Sequence, residues 1–181
     1  MRDYDLSYHF DESLHEIPNN ATDMDLYVHE MKTALTTVQD PIERVKTLGQ
    51  IGVYLRIMRE LEEAQDYFLK ALEIIERHSL DPVLRIQQQM RLAHVHQWLG
   101  DFEVSNKIFE DLLKESEQKD FGPLQSFLWQ HMGKNYFDQL RWREAHDCFE
   151  KALSLRIASK APEDQISSSR ESAKAALQRM N

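Results

Sequence analysis

The sequence predicts an all-α chain of three helix-turn-helix repeats with a leading helix and a C-terminal capping helix. Three observations carry this. Pro41, Pro82 and Pro123 stand 41 residues apart, and Pro162 follows after 39; each comes just before a segment with amphipathic helical spacing, so the interval marks a repeated unit. Glycine and proline are scarce, five of each in 181 residues, while Leu, Ala, Glu, Gln, Lys and Arg are abundant, which favours helix over sheet. Finally, small and aromatic residues recur in one register. Gly52, Ala93 and Gly133 are each followed twelve residues later by Ala64, Ser105 and Ala145, then four later by Phe68, Phe109 and Phe149. Ala71, Leu112 and Ala152 follow at the next turn, and Leu61, Phe102 and Trp142 precede the second small residue by three. Two helices approach closely only where both present small side chains, and the aromatics fill the space around that crossing.

Taken in order, residues 1–20 form an arm in which Tyr4, Leu6, Tyr8 and Phe10 alternate with Asp3, Asp5, Ser7 and His9, the period of an extended strand with one aromatic side. Residues 21–181 form a single domain. A leading helix over 23–38 carries Met24, Val28, Met31, Leu35 and Val38 on one stripe. The repeats follow at about 41–80, 82–120 and 123–160, with helices at 41–57 and 60–78, 82–98 and 101–118, and 123–139 and 142–158. Asp40-Pro41 and Asp81-Pro82 each place an N-cap before a proline at the first helical position, where the missing N–H costs nothing. A polar helix over 163–180, with Ile166, Ala173, Leu177 and Met180 for its packed face, suits a solvating cap.

The repeat register resembles the tetratricopeptide repeat, whose signature pairs a Trp-x-x-Leu-Gly-x-x-Tyr first helix with an Ala-x-x-x-Phe second helix. The third unit is nearest, with Trp129, Met132, Gly133, Tyr136, Ala145, Phe149 and Ala152 in place; the first keeps Leu48, Ile51, Gly52, Ala64, Phe68 and Ala71. The second departs most, with Gln89 and His96 where aromatics are expected. A period near 40 is similar to the longer-helix variant of kinesin light chains, polarity adaptors and bacterial peptide-sensing regulators. The resemblance implies a right-handed α–α superhelix, a solenoid whose first helices line a concave ligand groove. Lys46 and Arg56 of unit one, Gln87, Met90, His94 and Gln97 of unit two, and Phe127, Gln130, Lys134 and Phe137 of unit three are the side chains expected to face it. Three cations, several amides, two aromatics and a methionine suit a peptide or helix carrying acidic and apolar residues. The alternative for Phe127, Phe137 and Met90 is ordinary packing between helices. Gly49, Val53, Phe127 and His131 stand where chaperone-binding relatives keep their Lys, Asn and Arg clamp, so no chaperone-tail site is expected.

Charge and chemistry narrow the function. Net charge is −9, and residues 1–31 hold eight acids against Arg2, leaving −2 for the remaining 150 residues. No concentrated basic stripe is present, so nucleic acid is not an expected partner. The acidic arm complements Lys46, Arg56 and Lys134, so Tyr4, Leu6, Tyr8 and Phe10 are expected to bring it into the groove in competition with a partner; a free tail, or an arm packed over the first helix, is the alternative. His94 and His96 lie two apart on a helix, on different faces, and no metal site or cofactor is expected. Cys148, the single cysteine, excludes an intrachain disulfide and reads as a buried small hydrophobe beside Phe149. The start MRDYDLSYHF has neither the basic nor the apolar region of a secretion signal and no run approaches a membrane span, so a cytoplasmic chain is expected.

The expected function is therefore a non-enzymatic interaction module, an adaptor or scaffold for a protein or peptide. Two alternatives stand beside it: self-assembly into a homodimer through a solenoid end or the arm, and a fragment-like relative of bacterial peptide-sensing regulators. Those regulators join the repeat to a second domain, for which the stretch before Pro41 is too short.

Overall fold

The computed structural model describes residues 3–119 and 122–180. Residues 1, 2, 120 and 181, the outer limits of the expected arm, second repeat and domain, lie outside the described residues. Packing divides the chain into two compact units, Met1–Leu99 and Gly100–Asn181. The boundary falls between the two helices of the expected second repeat.

The first unit holds β1 (Tyr8–Phe10), β2 (Glu16–Pro18), α1 (Ala21–Leu35), α2 (Pro41–Ile57), α3 (Leu61–Arg77) and α4 (Pro82–Leu99). Asp40 caps α2 by accepting from the Glu43 N–H at 2.9 Å, with Pro41 at the first helical position; Asp81 accepts from the Val83 N–H at 2.7 Å. α2 and α3 close on each other at Gly52, where an added Cβ would stand 2.7 Å from the Phe68 ring. Around that crossing Val28, Leu48, Ile51, Leu55, Ala64, Phe68, Ala71, Ile75 and Val95 form one buried cluster. The leading helix stops at Leu35, three residues short of the expected end. The Thr36 and Thr37 hydroxyls donate to the carbonyls of Thr33 and Ala34 at 2.7 and 2.9 Å, and Arg44 Nη1 donates to those of Leu35 and Val38 at 2.9 and 3.1 Å. The backbone closes in tighter turns, Thr36 and Thr37 N–H donating to the Thr33 and Ala34 carbonyls, and side chains add to the carbonyls of Thr33, Ala34 and Leu35 that a further turn would have used.

The arm folds back on itself, which the sequence did not show. β1 and β2 pair antiparallel in the register Tyr8↔Pro18, His9↔Ile17 and Phe10↔Glu16. Asp11 organises the turn, its Oδ1 accepting from the N–H groups of Ser13 and His15 at 2.8 and 2.9 Å.

The second unit holds α5 (Phe102–Gln118), α6 (Leu124–Asp138), α7 (Trp142–Ala158) and α8 (Glu163–Arg179). Gly133 repeats the crossing of the first unit, its missing Cβ position 2.5 Å from Phe149 Cε1. α5 and α6 are joined by amides: Ser105 Oγ donates to Asn135 Oδ1 at 2.7 Å, and Gln139 Nε2 donates to Asn106 Oδ1 at 2.9 Å. α8 buries Ser169, Ser172, Ala173 and Ala176, while Leu177 and Met180 stay exposed. This corrects the face expected from Ile166, Ala173, Leu177 and Met180: small residues let the helix approach closely, and longer ones would hold it off.

Four helices end in one Schellman-type turn whose left-handed residue is not glycine. Arg59, Ser79, Leu140 and Lys160 have φ of 71°, 48°, 60° and 54°; at Leu140, for example, Leu140 N–H donates to Phe137 O and Arg141 N–H to Tyr136 O, both at 3.0 Å. The Leu140 side chain is 69 % exposed and contributes little packing. Leu140→Gly is expected to stabilise the chain by about 0.5–1 kcal/mol by relieving the left-handed strain, seen as a higher urea midpoint at unchanged slope.

Candidate functional site

In the first unit the end of α2 and the last turns of α4 build a cationic and aromatic cluster. Arg56 and Arg59 stack on Trp98 with their guanidinium carbons 4.4 and 4.0 Å from its ring centroid. His94, one helical turn earlier on α4, meets the Trp98 ring edge-on at 5.5 Å. The Trp98 indole N–H is buried with no hydrogen-bond partner among the described residues. Arg91 donates to Gln88 Oε1 at 3.3 Å. Burial, and then the charge of Arg56, hold the Arg91 guanidinium below its ordinary basicity.

Glu16 of β2 enters this cluster. Its Oε2 accepts from Arg56 Nη1 at 2.9 Å, and both side chains are over nine-tenths buried. The neighbouring His15 ring lies 4.7 Å from Trp98, with Nδ1 3.1 Å from Arg59 Nη2. A carboxylate is thus held by a guanidinium that an indole backs. Such a pair is weak grounds for overall stability, because desolvation offsets much of the attraction, but losing one partner leaves a buried charge uncompensated.

The residues expected to face a partner distribute as follows. Lys46 is exposed and bound to Glu43 of its own helix at 2.7 Å, whose hydrogen bond and charge raise its basicity. Arg56 is the Glu16 partner. Gln87 is half-buried, and Met90, His94 and Gln97 are buried on α4. In the second unit Phe127 lies beneath the Arg156 guanidinium at 5.2 Å. Gln130 is buried and tied to α8, accepting from Ser169 Oγ at 2.7 Å and donating to Ser172 Oγ at 3.1 Å. Lys134 is buried, and Phe137 is buried against Trp142 of α7 at 4.8 Å. Burial lowers the basicity of Arg156, which donates to Ser169 Oγ and the Gln165 carbonyl.

The arm residues take two places. Tyr4 stacks on Tyr27 of α1 at 5.5 Å and donates to Glu30, and Leu6 is half-buried. Tyr8 and Phe10 meet edge-to-face at 5.7 Å and are 46 % and 44 % exposed. Sequence reasoning named Arg56 but missed Glu16, His15, Arg59, Arg91 and Trp98. The one available signal was Arg56-x-x-Arg59 at the end of a helix, two cations on one face.

No group of His, Cys, Asp and Glu among the described residues could hold a metal ion, and no helix among them is long and apolar enough to cross a membrane. Burial pushes the Cys148 thiol up to about 12, the charges of Asp147 and Glu144 adding to it against Arg141. Cys148 is therefore expected to resist iodoacetamide at about pH 8 in the folded chain and to react within minutes in denaturant, a contrast that mass spectrometry reads directly.

Comparison with known proteins places the architecture. The tetratricopeptide repeat family matches residues 45–79. No curated protein sequence matches the chain. Among solved structures it is similar to BtubC (BKLC) from P. vanneervenii, with a TM-score of 0.67 at 17% identity over 88% of this chain and 67% of that one. It is similar to a Rap protein complexed with competence and sporulation factor, with a TM-score of 0.70 at 15% identity over 89% of this chain and 51% of that one. A Podosopora anserina chain of nearly identical TPR-like repeats gives 0.62 at 14% identity, over 87% and 78%. The chain spans 58% of the length of RapI, another similar structure, and about half of the Rap protein. At these identities the likeness shows the fold: the chain is built of helix pairs with small-residue crossings at Gly52 and Gly133, and its residues 45–79 match the tetratricopeptide repeat.

Proposed function

We propose that the chain is a non-enzymatic interaction module, an adaptor in the cytoplasm, whose first-helix face in residues 41–99 binds a peptide or helix of a partner protein through carboxylate and apolar side chains. The observation that carries this is the Glu16 carboxylate buried on Arg56 beside Trp98: an extended segment of the chain itself already occupies the face as a ligand would. The arm thereby competes with the partner, through Glu16 rather than through the aromatic row Tyr4, Leu6, Tyr8 and Phe10. The Rap protein's complex with competence and sporulation factor supports the reading for this fold. Lys46, Gln87, Met90, His94 and Gln97, and in the second unit Phe127, Gln130, Lys134 and Phe137, belong to the proposal as side chains of the first helices, most of them buried.

The test uses a chain lacking residues 1–18 and a synthetic peptide of residues 3–18 in calorimetry. Saturable binding, weakened about tenfold or more when the peptide carries Glu16→Gln, is the expected result. Absence of binding by a truncated chain with intact helical circular dichroism contradicts it. Self-assembly is favoured by one observation, the exposed Tyr8–Phe10 pair on a short edge strand; a solution mass of two chains that falls to one on Tyr8→Ser and Phe10→Ser would make the homodimer the better reading.

A further inference from the structure

A second recess lies at the other end of α2. A cleft of about 460 Å³ is bounded by Leu35 at the end of α1, Gln39 and Pro41, Arg44 and Leu48 of α2, and Tyr67, Lys70, Glu73, Ile74, Arg77 and His78 along α3 and its end. Its size falls within the roughly 300–1,000 Å³ of small-molecule sites. It stands about 18 Å along the helix axis from Arg56, twelve residues at about 1.5 Å each, so it is separate from the Glu16 cluster.

The cleft lies where α1 ends: the chain leaves the helix at Thr36, and Arg44 donates from Nη1 to the Leu35 and Val38 carbonyls. Those two bonds fix the Arg44 guanidinium at the wall. Lys70 holds its ammonium 5.1 Å from the Tyr67 ring centroid at the same wall. The cleft's one acid, Glu73, is taken by Arg77 at 2.5 Å. Arg44, Lys70 and a histidine therefore stand beside one neutralised Arg77–Glu73 pair, in a chain whose net charge is −9. Leu35, Leu48, Ile74 and Pro41 supply an apolar lining between them.

We infer that this cleft binds a small amphiphilic anion, its carboxylate or phosphate head on Arg44 and Lys70 and its apolar body against Leu35, Leu48 and Ile74. The head needs charge-assisted donors and the tail needs area removed from water, and the cleft offers both within one recess. A neutral ligand of the same length would leave the cations without a counter-charge. A fully polar anion would leave the lining wet.

Three probes of one chain length separate the contributions: octanoate, octyl phosphate and octanol, titrated into the full chain and followed by amide shifts in heteronuclear NMR. Octanoate is expected to saturate on the order of 1 mM, with the largest shifts at residues 35–48 and 70–78. Octanol is expected to bind about fivefold or more weakly, and Lys70→Glu to weaken octanoate about tenfold while leaving octanol unchanged. Tighter binding of octyl phosphate than octanoate assigns the head as a phosphate, the reverse order as a carboxylate; both support an anion site. Equal binding of octanoate and octanol, shifts centred elsewhere, or indifference to Lys70→Glu overturns it. The Glu16→Gln chain should bind octanoate as the parent does, so this result stands or falls apart from the partner-binding face.

Discussion

Replacing Phe149 with alanine is expected to cost the second unit about 3–5 kcal/mol. The ring is fully buried and packs on the Gly133 backbone, with Ala145 and Ala152 a turn to either side on its own helix. Gly133 has no side chain that could move into the space it leaves. A unit of 82 residues has about 4–12 kcal/mol to lose, so the change removes much of its stability. Gly133→Ala provides the internal check. In the parent chain the new methyl meets the ring at 2.5 Å and should destabilise by about 1–3 kcal/mol. In the Phe149→Ala background the same methyl enters the vacated space and gains helix propensity of about 1 kcal/mol, so its effect reverses sign. Urea unfolding followed by circular dichroism reads both; a Phe149→Ala loss under about 1 kcal/mol, or a Gly133→Ala effect of one sign in both backgrounds, contradicts the crossing described here.

Arg56→Met is expected to release the arm from the first unit. It strands the Glu16 carboxylate in a site where both partners are over nine-tenths buried, at about 3–5 kcal/mol. The hairpin limits the damage, because strands of three residues have little stability of their own: the arm is expected to undock and return Glu16 to water while α2 and α3 hold. Amide exchange should show protection lost at residues 7–19 and kept over 45–75. Adding Glu16→Leu removes the stranded charge and should restore docking to the parent level or above.

The helices were legible because their ends are written locally. Asp40-Pro41 and Asp81-Pro82 start α2 and α4 where expected, and α2 and α7 run over the expected residues. The Gly52/Phe68 and Gly133/Phe149 pairs were legible as a register because close approach admits few residue types. What failed to show depends on distant partners. Tyr4, Leu6, Tyr8 and Phe10 have the period of a strand, yet β1 covers only Tyr8–Phe10 and its mate Glu16–Pro18 is too short for any period. Arg56 read as a groove cation, but its partner lies 40 residues earlier and nothing local links them. The turns at Arg59, Ser79, Leu140 and Lys160 gave no glycine signal, since the hydrogen bonds of the helix end hold a left-handed residue regardless of type.

A double-mutant cycle between Glu16→Gln and Arg56→Met, read from amide exchange at Asp11 and Asn19, tests the partner-face account most directly. Both amides donate within the hairpin, to His15 and Ser7 carbonyls at 3.0 Å, and report its docking. A coupling of about 2 kcal/mol or more is predicted if Arg56 holds the arm through the Glu16 carboxylate. A coupling below about 0.5 kcal/mol would mean that the hairpin docks without the pair, and the first-helix face would lose its claim to carboxylate recognition.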